Sequence, residues 1–328
     1  MKKLPLKIIA AMIASIALFA TSVSAANRTV NCNEGQSIQD AVEKGRGSAA
    51  ELYIDVSGTC EEVVTIKRDD VTIDGGETAT VIGTIVVEGG NRIIVREITI
   101  TGPGPGAGAV GGNLKLIRVA ITGNSGLGVL AADSAYVGMS RSIIQNNVTT
   151  GVLARQGSSV FIRETSISGH EDYGIILMSN SIGNVVSNST ISENYIGISA
   201  RNSSTVIVNN SDVLNNTNSG IEADNGATVV IDEGTTISSN PNYGIDASLH
   251  SSVLIGGDSA ITNNGSVGIK LQSDSGSRID DDVTISGNDI GNGNAGVFCT
   301  DTESSVLMRG TIADFVVCSD FNQVGPTP

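Results

Sequence analysis

Glu222, Asp246 and Lys270 follow one another at intervals of 24 residues, with Arg201 and Asp224 nearby. Each of the three stands one residue after a Gly-Ile pair: Gly220-Ile221, Gly244-Ile245 and Gly268-Ile269. Two carboxylates beside an amine and a guanidinium can carry proton chemistry. The acids can hold Ca²⁺ through oxygen ligands, while Lys270 or Arg201 takes a proton from a carbon that the cation acidifies. The same residues also read as a solvated ladder of opposite charges on neighbouring strands, with weak pairing and no chemistry. A lysine held between carboxylates is in the wrong form for a base, so the chemical reading needs a metal to neutralise them.

Two further sets are candidates. A row of charge runs through Arg118, Arg141, Arg163, Asn209, Asn210, Asp232, Glu233, Asp258, Asp280, Asp281 and Asp282, changing sign from basic to acidic. Its acidic end, with Asp232, Asp258, Asp280 and Asp282 as ligands, can chelate Ca²⁺; solubility and protection of strand edges explain it as well. His170 and Tyr173, with Tyr195 and Tyr243 near equivalent turns, can contact a substrate, although polar turn residues are the blander account.

The elements that position these residues are repeats. Glycine followed by Ile or Val recurs at Gly128, Gly151, Gly174, Gly197, Gly220, Gly244, Gly268 and Gly296, at intervals of 23, 23, 23, 23, 24, 24 and 28 residues. A period in the low twenties, rich in β-branched residues and in Asn, Ser and Gly, means one solenoid coil per repeat. Within a coil, Val152 and Ala154, then Val160 and Ile162, then Ile167 alternate with polar residues, which predicts three short strands with one buried face. The first and third residues after each glycine point inward, so Glu222, Asp246 and Lys270 line up outside on successive coils about 4.8 Å apart. Asn124, Asn147, Asn216, Asn240 and Asn264 lie four residues before the repeat glycine, with His170 in the same place in one coil. They predict an asparagine ladder at a turn, since Asn tolerates left-handed backbone and its amide can bond the next coil.

Residues 1–25 read as a secretory signal peptide, with Lys2, Lys3 and Lys7 before the apolar run Ile8–Ala20 and Val23-Ser24-Ala25 at the cleavage point. The expected product is secreted or periplasmic, with no transmembrane segment after cleavage. It keeps 16 basic residues against 34 acidic ones. That balance excludes nucleic acid as a partner, because phosphate binding needs clustered Lys and Arg. Cys32 with Cys60 and Cys299 with Cys318 are expected to form disulfides in an oxidising compartment; a zinc site is the alternative, but it lacks CxxC pairs and has only His170 and His250. Ser37–Lys44 puts Ile38, Ala41 and Val42 on one helical face and predicts a short capping helix pinned by Cys32–Cys60. The organisation is one solenoid over 26–321: cap and first coils to 110, regular coils over 111–298, and a C-terminal cap over 299–321. The Gly102-Pro103-Gly104-Pro105-Gly106 stretch reads as a protruding loop, and 322–328 as a disordered tail.

The opening Gly35-Gln36-Ser37-Ile38-Gln39-Asp40-Ala41-Val42, the segment Val56-Ser57-Gly58-Thr59-Cys60-Glu61-Glu62-Val63-Val64-Thr65-Ile66 and the repeats after them resemble right-handed parallel β-helix proteins of the pectate lyase-like superfamily. The resemblance covers most of the mature chain and implies a right-handed all-β solenoid. It also implies a secreted protein that binds or processes an extracellular polysaccharide, as a Ca²⁺-dependent lyase of uronate polymers. In such a lyase Lys270 and Arg201 would be catalytic, Glu222 and Asp246 metal ligands, and Asp224, Tyr173 and His170 substrate contacts. The aspartate motifs of pectinesterases and polygalacturonases and the Asp-Pro-His-Asp motif of alginate epimerases are missing, which disfavours those chemistries. With no tryptophan and 3% aromatic residues, a noncatalytic adhesin or spacer at a cell surface is the rival reading.

Overall fold

Alternation at period two, broken by polar turns three times per repeat, gives each coil three strands. In one coil these are Val152–Arg155, Ser159–Arg163 and Ser166–Ser168. The computed structural model describes residues 26–44, 51–288, 295–309, 315–318 and 320–324; the signal-peptide reading of residues 1–25 lies outside them. All strand pairs are parallel and join equivalent positions of successive coils, which produces a solenoid of about twelve turns with three faces. Face A carries the strands that follow the repeat glycine, face B the middle strands and face C the short third strands. Among the described residues, no helix is long and apolar enough to cross a membrane.

The core is a set of stacked columns. Val152, Ile175, Ile198, Ile221, Ile245, Ile269 and Val297 are in register, and each is fully buried. Burying such a side chain contributes roughly 1.5–3 kcal/mol, so a charged residue in this column would break the stack locally. The asparagine ladder runs beside it through Asn124, Asn147, His170, Asn194, Asn216, Asn240, Asn264 and Asn288, all buried. Asn194 and Asn288 were not in the sequence reading, because Asn194 lies three rather than four residues before its glycine. The left-handed residue is the one before each ladder position, as at Asn146, Asn215 and Asn263, and not the ladder asparagine itself. The ladder explains the repeat glycine: a Cβ on Gly174 would sit 2.7 Å from Asn194 Nδ2 and 2.6 Å from the Gly197 carbonyl oxygen.

At the N-terminal end the helix α1 (Ile38–Lys44) buries Ile38, Ala41 and Val42 against the first coils. Its free N–H groups are capped from another strand: Glu62 accepts from the backbone N–H groups of Ile38 and Gln39 and from the Ser37 hydroxyl. Both expected disulfides form, Cys32–Cys60 and Cys299–Cys318. The segment 102–106 does not protrude. Its carbonyls at Gly102, Gly104 and Gly106 accept from Ser125, Gly126 and Ile85, tying it to the coils on both sides. The strand Asp320–Val324 pairs with Ser305–Arg309, so the solenoid continues into the segment read as a disordered tail; residues 325–328 lie outside the described part.

Candidate functional site

The outward column of face A runs Leu153, Ile176, Ser199, Glu222, Asp246, Lys270 and Phe298 in continuous register. The alternation that buries Ile221, Ile245 and Ile269 therefore brings Glu222, Asp246 and Lys270 together as the sequence predicts. Arg201 and Asp224 stand beside them, in register with each other. Arg201, Glu222, Asp224, Asp246 and Ser248 surround a recess of about 200 Å³.

Two tyrosines complete the site. Arg201 lies over the Tyr173 ring, 5.1 Å from its centre, and donates to the Tyr173 hydroxyl at 2.8 Å. It also donates to buried Ser199 at 2.9 Å and reaches Glu222 at 3.4 Å. Lys270 sits 4.7 Å from the Tyr243 ring centre and 3.5 Å from Asp246. Each cation thus combines a carboxylate with a π-face, a pairing that gains strength where water is displaced. Asp224 accepts from the Ser248 hydroxyl at 2.9 Å.

The carboxylates are under-supplied with donors. Burial pushes the Glu222 carboxyl above the usual carboxylate range; Arg201 pulls it back in part, and Asp246 and Asp224 push it up again. Burial likewise pushes Asp246 up, opposed by Lys270 and reinforced by Asp224. Asp246 Oδ1 is buried with no hydrogen-bond partner. Two neighbouring carboxyls with raised affinity for protons can exchange one with a bound ligand, and the orphaned oxygen is an open position for a cation.

The other predicted residues are dispersed. His170 is 3% exposed and sits inside the ladder: its Nδ1 donates to Asn194 Oδ1 at 2.7 Å and its Nε2 accepts from Asn147 at 3.2 Å. Both nitrogens are occupied, which removes His170 from the substrate contacts. Burial also lowers its proton affinity. In the second charged row, Arg118, Arg141, Asn210, Glu233 and Asp258 fall on left-handed turn positions after face B rather than on the strand itself. Its basic half is ion-paired, Arg118 with Glu97 and both Arg141 and Arg163 with Glu164. At the acidic end Asp280 pairs with Arg278 at 3.1 Å, and Asp232 accepts from the Glu233 N–H at 2.9 Å. Among the described residues, the only three metal-type side chains with ligand atoms within 4.8 Å of one another are Cys32, Cys60 and Glu62. Those cysteines form a disulfide and Glu62 caps α1, so this grouping is structural. Neither Glu222 with Asp246 nor Asp232, Asp258, Asp280 and Asp282 form such a set.

One polar cluster was absent from the sequence reading. Tyr53 donates to Asp74 at 2.5 Å, and Arg96 donates to Asp74 at 2.7 Å and to the Tyr53 hydroxyl at 2.8 Å. Its members come from three early coils that lack the repeat glycine, so no periodic signal aligns them. The strand registers Leu52–Val71 and Val71–Ile93 are what bring them together.

Residues 83–235 match a family model described as a right-handed beta helix region. No curated protein sequence matches this chain. Among solved structures, the mannuronan C-5 epimerase AlgE4 A-module of Azotobacter vinelandii is similar, with a TM-score of 0.68 at 16% identity over 88% of this chain and 93% of that one. The AlgE6 A-module of the same organism gives 0.59 at 15% identity, covering 91% of this chain and 100% of that one. The pectate lyase Pel9A gives 0.53 at 13% identity over 92% and 79%. The fold is a right-handed parallel β-helix.

Proposed function

We propose that this chain is an exported protein that binds an acidic polysaccharide across face A and cuts uronate polymers there by Ca²⁺-assisted elimination. The observation that carries the reading is the Glu222–Asp246 pair: two neighbouring, desolvated carboxyls pushed above their usual range, one with a buried unpartnered oxygen. Carboxylate oxygens are the donors a hard cation takes, although among the described residues this pair belongs to no group of three acidic side chains with ligand atoms within 4.8 Å of one another. Glu222 and Asp246 would be the ligands, and the bound cation would draw charge from the substrate carboxyl and so acidify the neighbouring C–H bond. Arg201 holds a uronate carboxylate, the partner its planar fork matches. Once Asp246 is engaged elsewhere, Lys270 gives up a proton to solvent and as the free amine takes the C5 proton; the C4–C5 double bond forms as the C4–O bond breaks, and the leaving oxygen is protonated by water, while Asp224 and Tyr173 contact the sugar. Likeness in fold to proteins named for pectate and mannuronan, both uronate polymers, supports the choice of ligand. The missing Asp-Pro-His-Asp motif keeps epimerisation out of the proposal.

A second reading, a noncatalytic surface solenoid, draws on the pairing of both cations with carboxylates, which leaves no base free before a ligand arrives. One experiment separates the two. The protein without residues 1–25 is incubated with pectate, alginate and a glycosaminoglycan, with and without Ca²⁺, while ultraviolet absorbance reports unsaturated uronate. A Ca²⁺-dependent rise is the expected result. Retention on an immobilised polymer with no rise would favour the noncatalytic reading, and neither signal would overturn polysaccharide as the ligand.

A further inference from the structure

Face B carries a second recess, three to six coils nearer the N-terminus than the Glu222–Asp246 pair. Its outward column reads Lys115, Gly138, Phe161, in register on three successive coils. The glycine leaves a gap one coil tall, floored by backbone. Tyr136, two residues earlier on the same strand, leans across it: a Cβ on Gly138 would meet the Tyr136 hydroxyl oxygen at 3.1 Å. Lys115, Tyr136, Gly138, Ser140, Phe161 and Arg163 line a recess of about 210 Å³.

Its composition departs from the rest of the molecule. The whole chain has five tyrosines, five phenylalanines and no tryptophan, yet two of these rings lie on adjacent coils here, both half-buried. The formal net charge is −15, yet the charge around this recess is positive. Arg118 is matched by Glu97, Arg141 and Arg163 share Glu164, and among the described residues no acid pairs with Lys115. One arginine and Lys115 are therefore uncompensated. Apolar ring faces beside donors of positive charge match a sugar ring that carries an anionic substituent: the rings take the C–H face, and the guanidinium and ammonium take the anion.

We infer that this recess is a second saccharide-binding site, separate from face A, that takes an anionic sugar unit of a polymer. It rests on the reading of the chain as a polysaccharide-binding protein and extends it, because a long chain held at both places is retained by two weak contacts acting together. Short oligomers held only at face A gain nothing from it.

The test uses polyuronates of two lengths, a polymer and a trimer, with parent, Lys115→Glu/Phe161→Ala and Gly138→Leu proteins. Gly138→Leu fills the gap and leaves every charge in place, so it separates recess from charge. Both variants are expected to bind the polymer about tenfold more weakly, with trimer binding and any turnover of the trimer unchanged. Unaltered thermal unfolding confirms that the fold is kept. Polymer binding equal to the parent's in both variants overturns the second site while leaving face A intact. Failure of the parent to bind any anionic polymer overturns both.

Discussion

The Tyr53–Asp74–Arg96 cluster and the Tyr173–Arg201–Glu222–Asp246–Lys270 cluster are built from the same parts, yet they are electrostatic opposites. In both, an arginine lies over a tyrosine ring, donates to its hydroxyl at 2.8 Å and reaches a carboxylate on a neighbouring coil. Burial alone would raise the Asp74 carboxyl, but Tyr53, the Gly76 N–H and Arg96 all donate to it and carry it below the usual range. Glu222 receives only a long contact from Arg201, Asp246 only one from Lys270, and both rise. The number of donors per carboxylate, and not the residue types, separates a carboxyl held below its usual range from two pushed above it.

The largest effect that could break this comparison is on turnover. Glu222→Gln and Asp246→Asn should each lower kcat/KM for a uronate polymer by at least about 100-fold, the scale of a lost proton-transfer group or metal ligand. Asp74→Ala should leave it unchanged. Equal losses at all three would erase the distinction.

Stability should respond in the reverse order. Asp74→Ala removes a side chain only 10% exposed, leaves Arg96 and the Tyr53 hydroxyl without their acceptor, and should cost roughly 2–3 kcal/mol in urea unfolding. Glu222→Gln removes a desolvated charge and should raise stability at pH 7 by about 1 kcal/mol. The pH signs differ too. Asp74, depressed in the fold, contributes stability that is present above about pH 4 and lost as pH falls through its lower folded value. Glu222 and Asp246, raised in the fold, lose stability as pH climbs from about 4 through their raised values.

The smallest effect concerns His170, which sharpens the contrast by adding a buried group with no charge partner. Its folded proton affinity is lowered, so its contribution is whole above about pH 6.5 and fades as pH falls below it. Protonation would turn Nε2 into a donor facing the Asn147 amide. His170→Asn should flatten the fall in melting temperature between about pH 6.5 and 5. An equally steep fall in the variant would place the titrating group elsewhere.

The fold was legible because a parallel solenoid writes its register directly into the sequence: one coil, one period. Glu222, Asp246 and Lys270 were legible for the same reason, since strand parity assigns their column without any knowledge of neighbours. The depth of that column was not, because whether Arg201 folds down onto Ser199 and Tyr173 depends on rotamers rather than on spacing. Nor was the Lys115–Gly138–Phe161 recess. The charges near it were read as a strand row, whereas the left-handed turn at Arg118 and Arg141 sets them one position beyond the strand. Tyr53, Asp74 and Arg96 fall where the coils are irregular, with a register shift between Asp74 and Ala79, so periodicity had nothing to align.

The asparagine ladder has a direction. From Asn124 to Asn264 each side chain passes a hydrogen forward to the next coil, and His170 can take part only as the tautomer that continues the sense. Such a row is a one-dimensional polar crystal. Reversing a single amide would create two domain walls, one with donors face to face and one with acceptors face to face, so the dipoles hold one another in line. A polar row must also end somewhere, and here its negative pole is Asn124 Oδ1, buried without a partner beside the glycine-proline segment, which has no side-chain amide to donate to it and whose Gly104 and Gly106 N–H groups donate elsewhere.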